Sequence, residues 1–407
     1  MRTTPASPSF WRSPLRGPWF TSVLGLVLLV GITVLFVTGL VSYAAYNPGL
    51  SPLNDKTPDK GVLGLYLFAW PTGPHWLYRL TQGVHVTLGV TLIPVLLAKL
   101  WSVVPKLFAL PPARSLTHAL ERVSLLLLVG GGLFEFVTGV LNVQLDYLFP
   151  GSFYPLHFYG AWVFFAAFVA HAVLKVPAAV RNVRKAREEG ELVAPRPEPP
   201  TVSRRGALWF VGGGSLLLFA TTAGQSFDGP LRRTALLAPH GGADPAQGPN
   251  GFQINKTAAY AGIDHAETAE DAWRLVVVGR SGRTVRLGRT ELAQLPLYSS
   301  ALPIACVEGW STSDQSWRGV RLRDLAALVG YDVDPPDVLV ESLQRRGAFR
   351  HAALRANQVA DPRSLLALYV NGEALSPDHG YPARVIVPAA PGVLNTKWVA
   401  RLTFGKV

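Results

Sequence analysis

The sequence predicts an N-terminal all-α transmembrane helical bundle, with four spans plus a fifth anchor span, followed by an extracytoplasmic α+β domain. Three observations carry this expectation. Of 407 residues, 49% are hydrophobic and only 16% charged, which is apolar for a soluble protein. The apolar excess lies in the first half, in runs of spanning length, whereas the C-terminal part reads as short strands and turns. The net charge is +12, and the cations cluster beside the apolar runs. That pattern orients helices in a membrane and argues against a nucleic-acid partner.

The apolar runs of spanning length cover about Trp19–Tyr43, Trp76–Val103, His118–Leu141 and Tyr154–Val176, and a shorter one covers Ala207–Ala223. Arg2, Arg12 and Arg16 precede the first. Lys99, Lys106, Arg114 and Arg122 bracket the link between the second and third. Lys175, Arg181, Arg184, Lys185, Arg187, Arg196, Arg204 and Arg205 lie between the fourth and fifth. The opposite links, Ala44–His75 and Asn142–Phe153, hold Lys56 and Lys60. The positive-inside rule then places the N-terminus in the cytoplasm and everything after the fifth span outside. A multi-pass protein of the cell membrane, in contact with lipid, is expected.

The resulting organisation is a four-helix membrane domain over 1–180, a Pro- and Glu-rich cytoplasmic linker over 181–206, and a fifth span over 207–224. A Gly-, Ala- and Pro-rich tether over 225–249 leads to a soluble domain over 250–407. Ser203-Arg-Arg-Gly-Ala-Leu208, just before the fifth span, resembles an internal twin-arginine export signal. Two arginines snorkelling below an ordinary span are the alternative.

Ionisable residues inside a span are costly and point to function. His75, His85, His118, His157 and His171 all fall in the membrane half. His85 and His157 lie at comparable depth near the outer ends of the second and fourth spans, while His118 opens the third span on the cytoplasmic side. His171 follows His157 by close to four helical turns, ~21 Å along the axis, which suits two stacked haems. Met1 is the only methionine, so a membrane haem would most simply be bis-histidine. The expected pairs are His85 with His157 and His118 with His171, each binding a haem b iron. Structural packing of the same histidines is the alternative. Gly83, Gly89 and Gly139 would let a porphyrin or a neighbouring helix approach. Glu135, in mid-span, has no partner in this reading and could serve quinone proton transfer.

In the soluble part, Arg274–Gly279 reads as a strand, Ser281-Gly282 as a turn, Leu322–Val329 as a short helix, and Val338–Glu341 and Arg384–Val387 as strands. The chain has one cysteine, Cys306. This excludes an intrachain disulfide, a cysteine-ligated iron–sulfur cluster and a c-type haem motif. A lone cysteine is most often a small buried hydrophobe. It can also be the single protein ligand to a metal that an organic cofactor carries.

Cys306-Val-Glu-Gly-Trp310 resembles the cysteine segment of the sulfite oxidase family, most closely the branch of the periplasmic protein-methionine-sulfoxide reductase catalytic subunit. The resemblance continues through Trp317-Arg-Gly-Val-Arg-Leu-Arg-Asp324, Val370-Asn-Gly-Glu-Ala-Leu375, His379-Gly-Tyr-Pro-Ala-Arg-Val-Ile-Val-Pro388 and Asn395-Thr-Lys-Trp398. Upstream, Asn250-Gly-Phe-Gln-Ile-Asn-Lys-Thr257 is similar to the family's first cofactor loop. The resemblance implies a mixed, mostly β domain that holds molybdenum-molybdopterin in a cleft, with Cys306 as the molybdenum ligand. It implies cofactor contacts from Asn250, Phe252, Asn255, His379, Arg384, Asn395, Thr396 and Lys397, and a place near the metal for Ser342. The four-span half more weakly resembles transmembrane dihaem b-type cytochromes. Neither the immunoglobulin-like dimerisation domain nor the soluble haem domain of some sulfite oxidases is matched, which favours the bacterial periplasmic type.

The leading expectation is a membrane-anchored molybdopterin oxidoreductase performing two-electron oxygen-atom transfer, coupled through b haems to the quinone pool. Its substrate would be a small oxidised or reduced sulfur or nitrogen compound, or protein methionine sulfoxide. Arg345-Arg346 and His379 lean toward an oxyanion substrate, the cysteine block toward sulfoxide reduction. Two alternatives are an electron-transfer cytochrome with a non-catalytic pterin-binding domain and the same enzyme on a haem-free anchor.

Overall fold

The computed structural model describes residues 12–54, 68–105, 115–143, 153–187, 189–190, 193, 202–238 and 248–405. The chain divides into two compact units. One comprises the residues up to Val37 together with His85–Thr222; the other comprises Thr38–Val84 and Ala223–Val407.

The first unit is helical. Helices α1 (Pro18–Ala44), α2 (Leu77–Val103), α3 (Leu116–Asn142), α4 (Tyr154–Arg184) and α5 (Arg204–Ala220) correspond to the five apolar runs, and all five are long and apolar enough to cross a membrane. Helix α4 continues past Val176 and ends on Arg181 and Arg184, where cations complement the terminal carbonyls. Helix α5 starts ahead of its apolar run because Ser203 caps it, its Oγ accepting from the Gly206 amide at 3.0 Å. Phe20, Leu24, Leu28 and Ile32 repeat along one face of α1 and pack on Leu92, Val95 and Leu96 of α2 and on Phe164 and Phe168 of α4. Helices α3 and α4 approach closely where Gly160 lies against Glu135 and Phe134. A Cβ there would come within 2.3 Å of the Glu135 carboxylate.

The second unit is built on two sheets. The first orders its strands β2 (Thr284–Leu287), β1 (Leu275–Val278), β10 (Val399–Phe404), β5 (Val338–Ser342) and β6 (His351–Leu354), with β1 and β10 parallel. The second orders β3 (Tyr298–Leu302), β4 (Gln315–Arg321), β7 (Leu365–Val370) and β8 (Glu373–Ala374), with β9 (Arg384–Ile386) paired to β7. Alternation buries Leu275 and Val277 of β1, and β5 buries Val338 and Val340. These pack with Leu322, Leu325 and Ala326 of a short helix, Leu322–Leu328, in the main core. A second cluster gathers Phe252, Cys306, Trp310, Trp317 and Ile386.

Two boundaries differ from the expectation. Thr38–Val84 was expected to complete the four-helix domain, yet it groups with the second unit. Tyr43, Tyr46, Asn47, Trp70 and Tyr78 are all buried. The Asn47 amide donates to Ala353 O at 3.0 Å and to Gln358 Oε1 at 2.8 Å, and Trp70 Nε1 donates to Ala389 O at 2.7 Å. Counting apolar runs treats everything between spans as a loop, and so misses anchors scattered one at a time. The expected tether is likewise structured in its first part, Gln225 to Ala238. Gln225 and Arg232 are buried, and the Arg232 guanidinium donates to Gln225 O and to Gln253 Oε1. The rest of that segment, 239–247, lies outside the described residues.

Candidate active site

Cys306 sits on a tight hairpin that follows β3. Ala305 and Ser311 form a bridge pair. The Cys306 amide donates to Trp310 O at 2.9 Å, and the Gly309 amide closes the turn onto Cys306 O at 3.1 Å. Gly309 has φ 93°, a conformation that glycine adopts without strain. On the opposite side the Gly392 amide donates to Ala305 O at 2.7 Å. A Cβ on Gly392 would stand 3.2 Å from that same oxygen. Cys306 is 3% exposed. Asn255 Nδ2 lies 3.5 Å from the sulfur, and the thiol faces Glu308 Oε2 at 3.5 Å. Trp310 Nε1 donates to that same carboxylate oxygen at 2.9 Å. Burial, followed by the Glu308 charge, pushes the Cys306 thiol well above its usual range.

The expected cofactor residues converge around this hairpin. Phe252 packs in the Cys306 cluster, 3.9 Å between ring centres from His379 and edge-on to Trp317. Arg384 is buried with its guanidinium 5.1 Å from the Trp317 ring centre, donating to His379 O and to Asn395 O at 3.1 Å each. Burial pulls its pKa down to about 9. Lys397 donates to Asp378 O at 2.8 Å and to Lys256 O. Burial, then the nearby Arg384 and Lys256 charges, lower its pKa well below the usual value. Burial also takes His379 down to about 3, with Arg384 and Lys397 adding to the effect, so its imidazole is neutral at physiological pH.

Four of these residues carry buried polar atoms without a hydrogen-bond partner: His379 Nε2, Arg384 Nε, Asn395 Nδ2 and Thr396 Oγ1. Buried polar groups are almost always paired, so four orphans in the span 379–396 fit a ligand rich in hydrogen-bonding groups and negative charge. Cationic Arg384 and Lys397 suit the phosphate of a pterin cofactor. Among the described residues no three His, Cys, Asp or Glu side chains converge. The resemblance to the sulfite oxidase family implies Cys306 as the one protein ligand to a metal whose remaining shell a cofactor would supply.

Asn250 and Ser342 are held differently. Asn250 adopts φ 57°. Its side chain donates to Ala374 O and accepts from the Ser376 amide at 2.8 Å, which ties its loop to the one ahead of His379. The Ser342 hydroxyl donates to Lys397 O at 2.7 Å and accepts from the Gln344 amide, so it braces the Lys397 backbone. Arg345, expected to favour an oxyanion, forms a surface ion pair with Glu267. Sequence reasoning gave no role to Glu308, Trp310, Ser376 or Asp378. Glu308 and Trp310 stand inside the quoted cysteine block, so a position-by-position reading could have singled them out.

In the helical unit, His85 and His157 face one another with ring centres 6.2 Å apart. His85 Nδ1 bonds Leu35 O at 3.0 Å. His157 Nδ1 lies 3.0 Å from Thr138 Oγ1 and 3.1 Å from Glu135 Oε2. The structure thus sets Glu135, which the sequence left without an assigned partner, beside His157. Gly139 leaves space beside His157, since a Cβ there would stand 3.3 Å from the ring. The second expected pair is not level. Gly131 packs on Phe164 and Gly139 on His157, and continuing that antiparallel register sets His171 about two turns, ~9 Å, from the depth of His118. The His118 side chain itself lies outside the described residues.

Residues 262–407 match the oxidoreductase molybdopterin binding domain family. The chain is 32% identical over 134 residues to an uncharacterized oxidoreductase of Bacillus subtilis, YuiH, covering 33% of this chain and 66% of that protein. It is 31% identical over 158 residues to mitochondrial sulfite oxidase of Homo sapiens, covering 33% of this chain and 29% of that one. A solved structure, the sulfane dehydrogenase SoxCD of Paracoccus pantotrophus, aligns over 33% of this chain and 39% of its own with a TM-score of 0.30 and 24% identity. The chain spans less than two thirds of the length of each of these proteins. Through residues 262–407, where Cys306 and the orphaned donors lie, the chain carries a molybdopterin-binding oxidoreductase domain of the sulfite oxidase family.

Proposed function

We propose that the protein is a membrane-anchored, molybdopterin-dependent oxidoreductase that carries out two-electron oxygen-atom transfer. The observation that carries this reading is the set of four orphaned polar atoms on His379, Arg384, Asn395 and Thr396 in the domain that buries Cys306. When bound, the molybdenum cofactor supplies the redox centre that accepts or donates the oxygen atom and the electron pair. Cys306 gives up its proton and holds the metal. Arg384 and Lys397 offset the negative charge of the pterin phosphate, neutral His379 donates or accepts a hydrogen bond, and the apolar wall of Phe252, Trp310 and Trp317 excludes water.

The favoured direction is reduction of an S- or N-oxide, protein methionine sulfoxide included. That reaction takes up two electrons and two protons and releases water. Pairing of Arg345 with Glu267 weakens the case for an oxyanion such as sulfite. Electrons would come from the quinone pool through a haem b between His85 and His157. Their ring separation of 6.2 Å suits two imidazoles on one iron, each bound at roughly 2 Å. Both Nδ1 atoms are engaged, which turns Nε2 of each ring toward a ligand role. The five apolar helices and the segregated cations support a membrane location with the catalytic domain outside. The test is Cys306→Ser in the full chain, with metal analysis. Turnover of a sulfoxide with an artificial donor should vanish while pterin stays bound through Arg384 and Lys397. Full activity in that variant overturns the assignment.

A further inference from the structure

The hairpin that carries Cys306 is held from outside by residues that lie far away in the sequence. Gln82 Nε2 donates to Val307 O at 2.5 Å, on the peptide next to Cys306. Arg79 Nε donates to Ser311 Oγ at 3.0 Å, and its Nη2 donates to Ser226 O at 2.6 Å. Ser226 Oγ in turn reaches Gly309 O at 3.3 Å, and the Ser311 amide donates to Gln225 O at 3.1 Å. Buried Arg232 fixes Gln225 and links it to Gln253, next to Phe252. Each shoulder of the hairpin is thus tied to the first turns of α2 or to the stretch just after α5.

We propose that Arg79 and Gln82 are positioning residues for Cys306, so that the thiol is presented in one pose only when the head of α2 is docked on the hairpin. The physical reason is local. Inside the hairpin the Cys306 amide reaches Trp310 O and the Gly309 amide reaches Cys306 O, whereas the Val307 and Gly309 carbonyls at its tip find their partners outside it. Removing those outer bonds frees the tip, next to the thiol, to fluctuate on the hairpin's base. A side-chain amide holds one shoulder, and a guanidinium ties Ser311 on the other to Ser226, which itself reaches Gly309 O. This inference rests on Cys306 being the molybdenum-binding thiol.

The chain holds one cysteine, so any thiol label reports on Cys306 alone. In the full-length, cofactor-free chain, a maleimide should alkylate Gln82→Glu at least about tenfold faster than wild type, because the variant keeps the shape of the side chain but has no N–H to donate. Ser226→Ala should show a smaller increase and Ser226→Thr should restore the slow rate; this pair serves if Gln82→Glu fails to fold. Leu80→Ala, on the same turn of α2 but exposed, should label at the wild-type rate. In the cofactor-loaded chain, Gln82→Glu should alter the Mo(V) paramagnetic resonance spectrum at unchanged molybdenum content. Equal alkylation rates in wild type, Gln82→Glu and Ser226→Ala would overturn the proposal. Faster labelling in a chain that never binds molybdenum would support the positioning role and sink the metal assignment instead.

Discussion

The carboxylate of Glu308 lies 3.5 Å from the sulfur of Cys306, and both groups are buried. In the cofactor-free chain that carboxylate accepts from the thiol and helps keep it protonated. It is also the nearest described group able to receive the proton when a metal takes the sulfur. Glu308→Gln removes the charge while keeping the size of the side chain and a possible acceptor for Trp310 Nε1. The pH profile of Cys306 alkylation should then move to lower pH, since a neighbouring negative charge disfavours the thiolate. An unmoved profile would show that burial alone sets the thiol.

His379 makes the stability of the cofactor-free chain depend on pH in a defined direction. Its pKa falls from 6.5 to about 3 on folding. Between those values the unfolded chain binds a proton that the folded one does not, so folding weakens as pH drops through that window. The slope from this one group approaches about 1.4 kcal/mol per pH unit. Above the upper end of the window the group contributes no pH dependence. Thermal midpoints of the solubilised chain at neutral and mildly acidic pH should therefore diverge less in His379→Asn than in wild type.

The sequence carried much of this site and less of its support. Cys306, Arg384, Asn395, Thr396 and Lys397 could be singled out because the short segments that hold them resemble those of the sulfite oxidase family, and the structure buries Cys306, Arg384, Asn395 and Thr396 and sets Arg384 against Asn395 O. Strands such as β1 were legible because alternation shows in four residues. What sequence could not show is pairing across distance. Parallel β10 beside β1 joins residues more than a hundred positions apart, and Gln82 reaches Val307 from another segment altogether. Nor does an apolar-run reading separate a span from a docked strap. Trp70 and Tyr46 lie between apolar runs, yet both are buried.

Trp70 tests whether that strap is part of the soluble domain. Its indole is fully buried and donates to Ala389 O, while the Ala389 amide donates to His75 O. Trp70→Ala should cost roughly 3–5 kcal/mol and lower the unfolding midpoint of the catalytic domain. A control, Trp76→Ala, replaces an exposed ring and should leave that midpoint within experimental error. Equal midpoints in the two variants would show that the strap adds nothing to the domain.

His85 and His157 should fail as a unit. Each contributes one ring to a facing pair, so His85→Ala and His157→Ala should each remove the same b-type absorption band, and the double variant should lose little more. His171→Ala should leave this band in place, because His171 lies ~21 Å along α4 from His157. Quinol-driven turnover should stop in both pair variants, while turnover with an artificial donor continues, because the Cys306 domain holds its own substrate chemistry. A wild-type chain with no b-type spectrum would remove the haem from this reading and leave the molybdenum domain untouched.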